Sequence, residues 1–137
     1  MSNINAAIGL AQLKKFDAFK DRKHLIFRRY NEAFAEIPEI TVPQLNLDET
    51  FPFSYVIRTS SGHRDGLSNH LKQNDIDSAV QFTPNHLQPA FSRYRTDLPT
   101  TERLFSEILT IPLFYEMTDA DVNKVIETTL GYFRAKK

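Results

Sequence analysis

The side chains best suited to moving protons or holding a metal at neutral pH are His24, His63, His70 and His86. His63 and His70 stand seven residues apart, so one helix face can carry both. No third ligand follows nearby, and an exposed helix face is the plainer reading. A metal-dependent hydrolase built on that pair is kept only as a third hypothesis. His24 belongs to the charged run Lys20-Asp21-Arg22-Lys23-His24 and is expected in solvent. Ser60 and Ser61 followed by His63 have the residue types of a nucleophile and its base, but neighbours within one turn rarely reach that geometry. The pairs Asp75/Asp77 and Asp119/Asp121 fall at a turn and a helix start, where capping explains them without acid–base chemistry.

Two chemistries are excluded outright. There is no cysteine, hence no thiolate nucleophile, disulfide or Cys-based zinc site. The glycines stand singly at positions 9, 62, 66 and 131, which cannot make a phosphate-cradling loop. The segment Val80-Gln81-Phe82-Thr83-Pro84-Asn85-His86-Leu87-Gln88-Pro89-Ala90-Phe91 is the most site-like stretch. Its polar residues alternate with apolar ones and prolines where a strand ends. A loop packed back on its own domain would also satisfy that composition.

The elements that must position these residues follow from periodicity. Ser2 is a plausible N-cap, and Ile4, Ile8, Ala11, Phe16 and Phe19, then Ile26, Tyr30, Ala33, Phe34 and Ile37, recur at helical spacing until Pro38. This predicts one long helix over 2–36, kinked near 17–22. Ala6, Ala7 and Gly9 near its start give a small-residue face, fit either for the protein's own core or for a subunit contact. A loop over 38–50 with room for a short strand leads to a strand over 51–59, a turn at 60–62 and a helix over 63–74. A second strand is expected over 78–82, then an extended loop over 83–101. Thr101 is expected to cap a helix from Glu102, a third strand covers 109–113, and Thr118 caps the last helix. Its buried face is predicted to be Val122, Val125, Ile126, Thr129 and Phe133.

The 137 residues form a single domain (1–137), with the helix over 2–36 and an α/β core over 51–137. The class is α+β, with about three short strands packed with about four helices. Seventeen basic residues balance seventeen acidic ones, which argues against an electrostatic nucleic-acid binder. No apolar run approaches the roughly 18–20 residues of a membrane span, so neither nucleic acid nor membrane is an expected partner. A cytoplasmic setting is the expectation.

Several stretches together resemble one family. Residues Met1-Ser2-Asn3-Ile4-Asn5-Ala6-Ala7-Ile8-Gly9-Leu10-Ala11-Gln12-Leu13 are similar to the GLAQL-containing helix of the DegT/DnrJ-type nucleotide-sugar aminotransferases. Val80–Phe91 resembles that family's HLQPAY loop. Leu98-Pro99-Thr100-Thr101-Glu102, Ile108-Leu109-Thr110-Ile111-Pro112-Leu113 and Thr118-Asp119-Ala120-Asp121-Val122 resemble its LPxTE, LSLPL and LTDxDV segments, all in order. The resemblance implies the small C-terminal domain of the aspartate-aminotransferase fold (fold type I). It also implies a homodimeric, pyridoxal-phosphate-dependent parent that moves an amino group, usually from glutamate, to a nucleotide-linked keto sugar.

On that resemblance the chain is a truncated, C-terminal portion, and the large domain with the cofactor and its lysine lies upstream. Lys14, Lys15, Lys20, Lys23, Lys72 and Lys124 do not match that lysine. Met1 takes the place of the Met in the family's NYRMS turn, so the preceding Asn and Arg are not in this chain. The chain alone is therefore expected to bind no pyridoxal phosphate and to be inactive, with no catalytic residue and no metal ligand of its own. The positions carried over as substrate-binding are Gln81, Phe82 and His86. Phe82 departs from the family Tyr and loses a hydroxyl. His86 either faces the substrate or holds the loop. Relatives often have His near Phe53, and its replacement weakens a substrate role there. Ala6, Ala7 and Gly9 match the helix at the domain and subunit junction, which favours a dimer through the first helix. The competing function is a stand-alone, non-catalytic dimerisation or binding module.

Overall fold

The computed structural model describes residues 2–60 and 62–136; the expectations placed on Met1, Ser61 and Lys137 lie outside them. Helix α1 (Asn3–Leu13) starts where the Ser2 hydroxyl accepts the Asn5 N–H at 3.3 Å. The predicted long helix breaks at Lys14-Lys15, upstream of the expected kink, and α2 (Phe16–Phe34) resumes beyond it. No Pro or Gly marks that break. It separates two environments instead: α1 has no buried residue, whereas α2 buries His24, Ile26, Phe27, Tyr30 and Phe34.

A three-stranded antiparallel sheet lies under α2. Its order is β1 (Ile40–Thr41), β2 (Tyr55–Thr59), β3 (Ile108–Ile111). The register sets Tyr55 opposite Ile111 and Ile57 opposite Leu109, and these four side chains share the buried face. Alternation along β2 is strict, with Tyr55, Ile57 and Thr59 inward. Phe51–Ser54, predicted as strand, stays outside the ladder; Pro52 has no N–H to give it. Helix α3 (Arg64–Gln73) follows a turn in which Gly62 takes φ 85°, a conformation that favours glycine.

The strand expected over 78–82 shrinks to one bridge, Ala79 with Thr110. The antiparallel geometry explains this. Continuing the pairing would set Asp77 opposite Pro112, which lacks an N–H, and Gln81 opposite Ile108, which directly follows a helix. Residues 83–101, read as a loop, contain two 3₁₀ turns, Asn85–Leu87 and Pro89–Tyr94, and the start of α4 (Pro99–Glu107). Thr101 is not its cap. Pro99 sits in the first turn with φ already set, and Leu98 occupies the N-cap without a side-chain hydrogen bond.

Helix α5 (Asp119–Arg134) packs on α2 and α3 and buries the whole predicted face together with Tyr132. Its capping box is complete: the Asp121 N–H donates to the Thr118 hydroxyl oxygen at 3.2 Å, and the Thr118 N–H donates to the Asp121 carboxylate at 2.8 Å. Asp121 lies below the usual carboxylate range, chiefly because the Thr118 hydroxyl donates to it at 2.7 Å. Thr118→Ala is expected to cost about 1 kcal/mol at neutral pH. A carboxyl with a depressed folded pKa adds stability above its unfolded pKa and loses it as pH falls through the folded one. The variant's deficit should therefore narrow between about pH 5 and about pH 2. Thermal melts across that range check this, and a deficit that widens with acid counts against it.

Candidate functional site

Two arginines at one α2 face, Arg22 and Arg29, both reach Asp119 at the start of α5, at 2.9 and 3.0 Å. The Arg22 guanidinium, by hydrogen bond and charge, is the main cause holding Asp119 below its usual range. Arg22 also donates to the Met117 carbonyl, and Arg29 to the Asn123 side chain. Their spacing, seven apart, was visible in the chain, but their shared partner some ninety residues on was not. On the other side of the sheet Arg58 donates twice to Glu107 and holds its carboxyl below the ordinary range. These pairs tie α2 to the start of α5 and β2 to the end of α4.

The Val80–Phe91 loop does not gather its predicted residues into one place. Gln81 and Phe82 are exposed, Phe82 by 79%. Gln81 lines a cleft of about 340 Å³ with Phe53, Ser54, Asp77 and Phe114. His86 is buried, its Nε2 lies 3.1 Å from Glu102, and it lines a different hollow with Asn85, Phe91 and Tyr94. Through that contact His86 ties the first 3₁₀ turn to α4. Gln88 reinforces the loop by donating to the Thr83 carbonyl at 2.9 Å and to Asn85 at 3.2 Å.

His24 corrects the expectation of a solvated side chain. It is 6% exposed, and its Nε2 sits 3.1 Å from the Thr50 carbonyl, because the segment before β2 folds across α2. The same segment receives Lys23, whose ammonium donates to the Pro52 and Phe53 carbonyls at 3.4 and 3.3 Å and lies 5.1 Å from the centre of the Phe51 ring. Burial lowers the Lys23 pKa, with Glu116 opposing. The rings of His63 and His70 both pack on Tyr132, with centroids 6.0 and 5.7 Å away. Among the described residues no three His, Asp or Glu side chains group as a metal site would require. No helix among them is long and apolar enough to cross a membrane.

Pyridoxal phosphate needs a lysine next to a cradle for its dianionic phosphate. Lys124 lines a hollow with Asp75, Asp77 and Asp121, and Lys20 one with Arg28 and His24 but also Asp21 and Asp48. Lys23 is engaged by carbonyls and rings. Carboxylates and carbonyls repel a phosphate, so the surroundings of Lys20, Lys23 and Lys124 do not fit the cofactor.

The helix that seemed able to pack inward turns outward. Ile4, Ile8, Leu10 and Leu13 are between 56% and 72% exposed, and a Cβ on Gly9 would meet nothing within 4 Å. Among the described residues the small-residue face of α1 has no partner.

Comparison with known proteins places this architecture. The spore coat polysaccharide biosynthesis protein SpsC of Bacillus subtilis is 31% identical, over 93% of this chain and 35% of its own. The aminotransferase TlmJ of Streptoalloteichus hindustanus superposes with a TM-score of 0.88 at 26% identity, over 96% of this chain and 36% of its own. Spr1654 of Streptococcus pneumoniae, in its PLP form, superposes at 0.87 with 25% identity, over 98% of this chain and 36% of its own. The chain thus spans about a third of the length of these relatives. Its fold is the small α+β domain of fold type I aminotransferases. The sequence profile of the DegT/DnrJ/EryC1/StrS aminotransferases matches residues 1–130, and the chain belongs to that family.

Proposed function

We propose that this chain is the C-terminal portion of a pyridoxal-phosphate-dependent aminotransferase that moves an amino group from glutamate to a nucleotide-linked keto sugar. The product would feed synthesis of a polysaccharide or another amino-sugar glycan in the cytoplasm. One observation carries the reading: the family profile runs from residue 1 to 130, while the chain covers only 36% of an aminotransferase that it matches at a TM-score of 0.88. The cofactor supplies the electron sink for amino transfer when bound. The lysine and phosphate cradle belong to the remaining two thirds of such a protein.

The roles left for this chain are shape and contact. Gln81 and Phe82 stand at the open end of the loop and would face the nucleotide-sugar. His86 would keep the loop seated through Glu102 rather than touch the substrate. The exposed apolar residues of α1 support a homodimer through that helix, since a helix this apolar in water favours a partner. The same surface supports the second reading, a stand-alone module that pairs through α1 without catalysis.

The 137-residue chain should neither transaminate nor hold the cofactor. Incubated with pyridoxal phosphate and reduced with borohydride, it should show no stoichiometric modification of a single lysine by peptide mass spectrometry. One lysine modified to completion would overturn the inactive reading. Sedimentation of the same sample tests α1: a strict monomer at high concentration counts against pairing through that helix. An intact gene encoding a large domain upstream, with amination activity, separates the enzyme reading from the stand-alone module.

A further inference from the structure

The two 3₁₀ turns after Thr83 hold themselves together. The amides of Leu87, Gln88 and Phe91 donate to the carbonyls of Pro84, Asn85 and Gln88, each at 3.0 Å. The Gln88 side chain closes the first turn onto Thr83 and Asn85. Outward ties are scarce. Among the described residues, the contact of His86 with Glu102 is the one hydrogen bond or ion pair that joins residues 83–97 to any other part of the protein. Packing adds little, since every residue over 89–101 is exposed. A hollow of about 410 Å³ lies under this arm, lined by Pro84, Phe91 and Tyr94 of the arm and by Thr101 of α4. His86 is the exception, the one buried residue of the stretch.

The other end of the tether is firmly founded. A carboxylate only accepts, so Nε2 of His86 carries the proton shared with Glu102. Glu102 stands in the first turn of α4, and Glu107 ends that helix. Arg58 of β2 donates twice to the Glu107 carboxylate, and the Thr59 hydroxyl donates to the Glu107 carbonyl at 3.2 Å. The Arg64 guanidinium of α3 lies 5.6 Å from the centre of the Phe105 ring in the same helix. Helix α4 is thus held by the sheet and by α3, and the arm is held to α4 at one point.

Gln81 and Phe82 lie between two anchors. Behind them Ala79 and Thr110 exchange backbone hydrogen bonds at 3.0 and 2.8 Å, and Val80 packs against the core. Ahead of them is the turn that His86 pins. Both residues are exposed, and among the described residues neither has a hydrogen bond of its own.

We propose that Glu102 is the positioning residue of this arm: through His86 it holds residues 83–97 on α4 as one unit and so sets where Gln81 and Phe82 stand. Untethered, the turns keep their local bonds but swing between the Ala79–Thr110 pair and the start of α4. That Gln81 and Phe82 then meet a substrate rests on the nucleotide-sugar reading above; the tether itself does not.

The test compares the ¹⁵N-labelled 137-residue chain with its Glu102→Ala and Glu102→Gln variants. The Glu102 side chain is 43% exposed, so neither change opens the core. In Glu102→Ala the amides of Leu87, Gln88 and Phe91 should exchange with solvent about tenfold faster, the worth of one charge-assisted hydrogen bond. The order parameters of the Gln81 and Phe82 amides should fall from the rigid range, about 0.85, to below about 0.6. Amides of the β2–β3 ladder should keep their rates. Glu102→Gln retains an oxygen that accepts from Nε2 and should return the arm to within about threefold of the unaltered chain. Unchanged exchange in Glu102→Ala, equal loosening of the sheet, or no rescue by glutamine would overturn the proposal. In a full-length parent, Glu102→Ala should raise KM for the nucleotide-sugar about tenfold and leave kcat within about twofold. An active parent whose KM does not move would overturn it too. A parent that fails to aminate nucleotide-sugars, beside an arm that loosens as expected, would overturn the transferase reading and leave the tether standing.

Discussion

Tyr55→Ala is expected to remove about 3–5 kcal/mol of stability, the usual cost of deleting a fully buried aromatic side chain. Tyr55 is 0% exposed at the centre of the domain. Its ring meets Phe27 and Tyr30 edge-on, each with centroids 5.0 Å apart, which joins β2 to α2. Its hydroxyl donates to Asn31 at 2.6 Å, and Asn31 donates onward to the Pro43 carbonyl at 3.3 Å. Burial pushes the Tyr55 hydroxyl well above its ordinary pKa, so it remains a neutral donor. Alanine leaves a cavity and also strands the Asn31 oxygen. Tyr55→Phe removes only the hydroxyl and should cost about 1–2 kcal/mol. A domain of ordinary stability holds about 5–15 kcal/mol, so the alanine variant should be partly unfolded or close to it. Urea unfolding followed by circular dichroism measures both. An alanine variant within 1 kcal/mol of the unmodified chain, on the scale given for such deletions, would show that β2 and α2 do not depend on this contact.

Gly66→Ala should destabilise the protein, against the usual trend. Exchanging a helix-interior glycine for alanine normally gains about 1 kcal/mol. Here a Cβ on Gly66 would overlap the Tyr132 hydroxyl, with the ring carbon behind it 3.2 Å away. Tyr132 has little room to retreat. It is 6% exposed, its hydroxyl donates to the His63 carbonyl at 3.3 Å, Phe133 packs edge-on at 5.0 Å, and Lys136 covers its ring at 4.8 Å. Overpacking of this kind costs about 1–3 kcal/mol and outweighs the propensity gain. Tyr132→Phe removes the overlapping oxygen, so the double variant should be more stable than the two single losses predict. A double-mutant cycle by chemical unfolding measures that coupling. A stabilised Gly66→Ala, or strict additivity, would show that α3 and α5 are not in close contact at this point.

Local chemistry was legible wherever the chain satisfied it within a few residues. The cap at Thr118, the buried stripe of α5 and the extent of α3 all follow from spacing and capping residues, and each formed as expected. The features that differ depend on distant partners. Ser78–Phe82 has strand composition, but a strand requires a neighbour, and Pro112 and the end of α4 deny it one on either side of Ala79. His24 has charged neighbours in sequence and a carbonyl neighbour in space. Thr101 is a fair cap by type, but Pro99 opened the helix first.

The candidate site divides the same way. Residue order alone marked the Val80–Phe91 loop and the family it resembles, because motifs in register record ancestry without reference to folding. The folded chain separated Gln81 from His86, turned the apolar face of α1 to solvent, and set Phe114, more than thirty residues further along the chain, beside Gln81 and Asp77. The sequence by itself therefore determined the class of domain and its local caps and faces, since those depend on interactions a few residues long. Only the tertiary structure decided which side chains share a groove and which surface is left without a partner, since burial and charge environment are set by what the rest of the chain brings alongside.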